Sequence, residues 1–282
     1  MCSLLALFDA PPAMSSDPPD SEHFVSALAR GLAVIEAFGN GREALSLSEV
    51  ARRADISRAA ARRLLLTLVT LGYAAFDGKL FSLRPRVLAL GFAYLSSVSV
   101  WDVAQPLLQE LVRETGESGS AAVLDGRDIV HVIRMPSARR LMSITVKAGD
   151  RLPAHASAMG RVLLAALPPP ELDAWFAGAR LDAITARTVT DPQALRRILA
   201  TVRAQGWAEV DGELDIGLKA LAVPVTDRDG TVVGAIALST LSTGAAPGGS
   251  RRAAASPLLE PLQRCARRIR EATAALPRLP AR

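Results

Sequence analysis

The sequence predicts an α+β protein of two unequal parts: a small helical domain, then a larger one built on an antiparallel sheet with helices around it. Three observations predict it. At 282 residues the chain is long enough for two domains. Residues 24–71 carry mainly helical periodicity. Beyond residue 73, short strand-like runs joined by Asp-Gly turns alternate with helical stretches, which is the signature of hairpins. The composition, 50% hydrophobic with a net charge of +5, excludes a disordered chain and suits a polyanionic partner.

The elements follow in order. Residues 1–22, rich in Pro, Ser and Asp from Ala10 to Ser21, read as a disordered extension, and Met14 is a second candidate start. From Phe24 to Phe38 the apolar residues Val25, Leu28, Leu32, Ile35 and Phe38 recur at helical spacing until Gly39. Ser46 and Glu49 form a capping box that opens a short helix to Ala54. After the tight Ala54-Asp55-Ile56 connection, Ser57 caps a third helix running to Leu71, and Gly72 stops it. Two short strands flank Asp77-Gly78.

Helix, short helix, turn, helix and hairpin is the order of a winged helix-turn-helix, assigned to residues 23–84. On the third helix Ala60, Ala61, Leu64, Leu68 and Leu71 form the inward arc. Arg58, Ala59, Arg62 and Arg63 lie opposite, with no acidic residue between Ser57 and Gly72. Arginine pairs bidentately with guanine, small Ala59 permits close approach to base edges, and Ser57 and Lys79 suit phosphates; Ser46, at the start of the second helix, is counted with them. These seven residues are the expected contacts to double-stranded operator DNA. Any surface helix of an arginine-rich protein carries such charges; the element order and the wing separate this one.

Residues 85–99 read as a linker helix and residues 100–282 as the second domain. Its expected elements are a helix from Val100 to Glu114 and strands at Ala121–Leu124, Ile129–Arg134 and Leu141–Val146. A loop from Pro153 then feeds a helix at Arg161–Leu167, followed by helices at Glu171–Gly178 and Asp191–Gln205. Strands return at Trp207–Val210, Ala220–Val225 and Val232–Ser239, and a last helix spans Leu258–Ala275. Small residues at Ala156, Ser157, Ala158 and Gly160 leave backbone N–H groups at a helix start, an arrangement that favours a carboxylate.

Other chemistry is poorly represented. Two cysteines near opposite ends exclude a disulfide framework and suit a reducing cytoplasm, and three scattered histidines make no metal pattern. His155 and Ser157 read as a structural loop pair and His131 as a surface or satisfied histidine, and Gly-x-Ser-x-Gly is absent. No cofactor, metal, catalytic residue or membrane span is expected. The competing reading is a small-molecule enzyme acting on organic acids, with an incidental helical extension.

Three blocks of this sequence resemble the IclR family of bacterial transcriptional regulators. They are Leu47 to Tyr73, Gly149-Asp150-Arg151-Leu152-Pro153-Ala154-His155-Ala156-Ser157-Ala158-Met159-Gly160-Arg161, and Gly206-Trp207 through Val225. The nearest look is to the subgroup controlling aromatic-acid catabolism. The resemblance implies a GAF-like effector domain, a homodimer or homotetramer, and a small organic acid as effector. It carries Leu152, Ala158, Met159, Asp211, Glu213, Leu218, Ala220, Ala237 and Ser239 onto the effector site. Met159 stands where smaller-acid regulators have a small residue. Glu213, turned inward, would accept a hydroxyl from the ligand's far end and repel a second carboxylate.

Overall fold

A computed structural model describes residues 24–39, 44–90, 99–137, 146–242 and 256–274. The expected extension 1–22, most of the linker helix and, except for Val146, the strand expected at Leu141–Val146 lie outside these residues. The chain divides into two compact units, Met1–Ser97 and Val98–Arg282.

The first unit contains α1 (Ser26–Glu36), α2 (Leu47–Arg53), α3 (Arg58–Thr70), β1 (Ala74–Phe76) and β2 (Phe81–Leu83). Both halves of the capping box form: the Ser46 hydroxyl accepts from Glu49 N, and Ser46 N donates to the Glu49 carboxylate at 2.9 Å. Between α2 and α3, Asp55 adopts φ 50°, a left-handed conformation that Asp tolerates better than most side chains. Val34, Phe38, Leu45, Val50, Leu65, Leu68 and Phe81 fill the core.

Two expectations are corrected here. Val25, Leu28 and Leu32 of α1 are exposed, and Val34 with Phe38 supplies the buried contacts instead. A period of three and four identifies a stripe without saying which side of a short helix faces this chain's own core. On α3 the inward residues are Ala61, Leu64, Leu65 and Leu68; Leu71, at the C-cap where the helix ends, points outward. After β2, a single 3₁₀ turn at Pro85–Val87 begins the linker segment, and residues 88–90 are helical. Leu88 is 74% exposed.

The second unit is a six-stranded antiparallel sheet between helices. Its strands are β3 (Ser118–Asp125), β4 (Asp128–Met135), β5 (Arg151–Pro153), β6 (Ala208–Asp211), β7 (Leu218–Thr226) and β8 (Val232–Leu241), in the order β5-β4-β3-β8-β7-β6. Helices α4 (Ser99–Thr115) and α8 (Leu259–Ala274) cover one face through Trp101, Leu108, Leu262 and Ile269. Helices α5 (Ala158–Ala166) and α7 (Pro192–Gln205) cover the other, and α6 (Pro169–Gly178) lies at its margin.

Period-two alternation explains the two faces. On β8, Ile236 and Leu238 turn toward α4 and α8, while Ala235 and Ala237 turn toward α5. Ala122, Ala208 and Ala222 join them, so the α5 side is carpeted with alanine. This lets α5 lie deep: every residue from Ala158 to Ala165 is buried. A 3₁₀ turn at Ala154–Ala156 precedes α5, and Gly160 packs so closely on it that a Cβ would fall inside the Ala154 backbone.

Candidate functional site

The first unit presents a basic face. Arg58, Ala59, Arg62 and Arg63 are exposed on α3, and Lys79 is exposed at the hairpin tip. The tip is closed by its own side chain. The Asp77 carboxylate accepts from Lys79 N at 2.8 Å and Leu80 N at 2.7 Å, and Gly78 takes φ 100°. Those backbone donors, Leu80 first, hold the Asp77 carboxyl below the usual carboxylate range. Ser57 accepts from Ala60 N, which leaves its proton available. Ser46, counted among the expected DNA contacts, donates its single hydroxyl proton to the Glu49 carboxylate at 2.8 Å. Arg53 is likewise a brace, donating to Ala37 O.

The second unit holds a cavity of about 50 Å³ between the alanine face and the start of α5. Leu152, Ala158, Met159, Leu218, Ala220, Ala237 and Ser239 all line it, with Ile129, Val146, Val210 and Leu214 completing the apolar wall. Ser157 caps α5 by accepting from Gly160 N at 3.0 Å. Ala158 and Met159 occupy the first two helical positions, whose N–H groups have no partner within a helix. The α5 N-terminus thus turns two donors and the positive end of a helix dipole toward the cavity.

Asp211 and Glu213 stand apart from that lining. The Glu213 carboxylate is buried and committed elsewhere: it pairs with Arg161 Nη2 at 2.6 Å and accepts from Val189 N at 3.0 Å. Arg161 also donates from Nε to His155 O at 2.9 Å. The ion pair therefore ties α5 to the β6–β7 loop and to the segment before α7, and Glu213 cannot turn inward without stranding a buried guanidinium. Asp211 lies 3.7 Å from Arg187, beyond hydrogen-bond range.

Three polar residues of the lining escaped the sequence reading: Ser120, His131 and Arg134. A β-bulge is the reason. The register between β3 and β4 slips at Ala121/Ala122, so Ala121 pairs with Ile133 and Ala122 with His131. The extra residue, Val132, inverts the alternation, and His131 and Arg134 come to line the same cavity although one number is odd and the other even. Arg134 donates from Nη1 to Ser120 Oγ at 2.8 Å. His131 is the satisfied histidine of the two expected alternatives, buried with Nδ1 3.4 Å from Asp150 O; desolvation pushes its pKa down to about 4, against the opposing Asp150 carbonyl contact. His155 is also lowered by burial, with Nε2 3.1 Å from Asp182 O. Among the described residues no cluster of His, Cys, Asp or Glu could hold a metal ion.

Comparison with known proteins decides what these two units make. The model of the bacterial transcriptional regulator IclR C-terminal domain matches residues 92–271, and that of the IclR helix-turn-helix domain matches residues 27–78. The chain belongs to the IclR family. Its relatives include the Pca regulon regulatory protein of Pseudomonas putida, 44% identical over 228 residues, covering 81% of this chain and 77% of that protein. The p-hydroxybenzoate hydroxylase transcriptional activator of Acinetobacter baylyi is 38% identical over 226 residues, covering 79% of this chain and 83% of that one. Among solved structures, an IclR homolog complexed with 4-hydroxybenzoate from Microbacterium hydrocarbonoxydans superposes with a TM-score of 0.76 at 27% identity, covering 89% of this chain and 100% of that one. As an IclR-type regulator, the chain is a DNA-binding transcription factor and not an enzyme.

Proposed function

We propose that this IclR-type regulator binds a small aromatic acid in the cavity of its second unit and couples that binding to operator affinity. One observation carries the reading: an apolar cavity with unpaired helix N–H groups at one end suits a ring bearing a carboxylate better than a sugar. The 4-hydroxybenzoate complex of the Microbacterium homolog supports the same class. Leu152, Ala158, Met159, Leu218, Ala220, Ala237 and Ser239 are the contacts on this reading. Glu213 keeps a supporting role, holding the α5 N-terminus through Arg161.

On the DNA side, Arg58, Arg62 and Arg63 with Ala59 enter the major groove, and Ser57 and Lys79 meet phosphates. The protein acts as a cytoplasmic homodimer, or a tetramer built from two, on inverted half-sites; the exposed Val25, Leu28 and Leu32 of α1 supply an apolar surface for pairing. Titration calorimetry of the full chain with 4-hydroxybenzoate, protocatechuate, β-ketoadipate and a neutral sugar tests the effector reading. Heat is expected from at least one acid; tight binding of the sugar alone would overturn it. Gel retardation on promoter DNA at several salt concentrations tests the rest, with affinity expected to fall steeply as salt rises.

A further inference from the structure

The cavity is charged asymmetrically in a way the α5 N-terminus does not explain. Arg134 reaches its lining only because of the β4 bulge, and Ser120 braces it from the adjacent strand. Ser120 in turn pairs in register with Ala237, so Arg134, Ser120 and Ala237 form one row across three strands of the cavity floor. One guanidinium nitrogen is fixed by Ser120 Oγ at 2.8 Å, and this sets the plane of the fork. Arg134 is half-buried there: Ile129, Leu152 and Ala237 share the lining, and Ser120 and His131 are more than nine-tenths buried. His131 is neutral at ordinary pH, so Arg134 supplies the positive charge among the lining side chains.

We infer that Arg134 is a specificity-determining residue that receives a second oxygen acceptor of the effector, in addition to the carboxylate held at Ala158 and Met159. The favoured ligand is a small acid with an oxygen substituent on the ring, and an equally sized acid with a methyl group there is rejected. A desolvated guanidinium gains a charge-assisted hydrogen bond from the oxygen and loses hydration against the methyl. This also reverses the polarity expected from Glu213: the second polar point of the site is a donor and a cation, not an acceptor and an anion.

The inference rests on the effector reading above, and one calorimetric series separates the two. The full-length protein is titrated with 4-hydroxybenzoate and with 4-methylbenzoate, which are close in size. The wild type is expected to prefer the hydroxy acid by about tenfold. In Arg134→Met and Arg134→Gln the ratio is expected to collapse to within about twofold. Thermal midpoints show which variants are folded, and the wild-type ratio stands without either. Equal affinity of the wild type for both acids overturns the inference, as does a preference that survives in a folded Arg134 variant; both leave the effector reading standing. Binding of neither acid, nor of the others named above, overturns that reading and this inference with it.

Discussion

Arg161 and Glu213 pose the sharpest energetic question at the residue scale, because two buried opposite charges sit under the start of α5. Removing one partner leaves the other uncompensated. Arg161→Met is expected to cost about 3–5 kcal/mol in urea unfolding, while a double replacement by apolar residues recovers much of it. A double variant that loses the sum of the two single losses would mean the pair is not coupled. His131 gives a pH signature. Its pKa falls from 6.5 to about 4 on folding, so the unfolded chain binds the proton first as the solution is acidified. The native state therefore loses roughly 3 kcal/mol between those two pH values, and keeps that part of its stability above 6.5. Stability curves against pH should show the loss, and His131→Gln should flatten it. On α3, Arg62→Ala is expected to weaken operator binding. A base contact costs about 1–3 kcal/mol and relaxes one position, whereas a phosphate contact weakens all sequences and lowers the salt slope by about one.

Elements are where the sequence was most readable, and where its limits have physical causes. The capping box at Ser46, the Ser57 cap, the Asp77-Gly78 wing and the small-residue entry to α5 are all local chemistry, and all form. What escaped depends on partners distant in sequence. The three-residue β5 is an edge strand that exists only because β4 is beside it. The bulge at Val132 leaves no trace in the composition, and unbroken alternation from Ile129 would put Arg134 on the sheet face away from the cavity. Asp211 and Glu213 share a strand-like spacing, yet Glu213 is pulled away by an arginine 52 residues earlier. The α1 stripe was visible, but not its direction. At this scale Gly160→Ala is the decisive change. Its methyl collides with the Ala154 backbone, which cannot swing aside as a side chain would. A loss of about 1–3 kcal/mol or more is expected in the second unit, together with weakened acid binding, because the ligand-facing turn must shift. Calorimetry and urea unfolding on one preparation would check both.

Over the whole molecule, the division at Ser97/Val98 separates a basic, DNA-facing unit from a sheet-centred one. Two such basic faces related by two-fold symmetry should protect inverted half-sites in footprinting, and a single unpaired half-site would count against the dimer. The cavity has a further consequence. It interrupts a packed interior: the same alanines that admit α5 leave a gap where larger residues would have closed the core. An occupant thus finishes the hydrophobic layer that folding left incomplete, and binds only the native state. Linkage then makes heat resistance a readout of occupancy, worth about 2.7 kcal/mol when the compound stands at a hundred times its dissociation constant. A library of acids ranked by melting temperature would identify the natural inducer or corepressor without an operator sequence in hand.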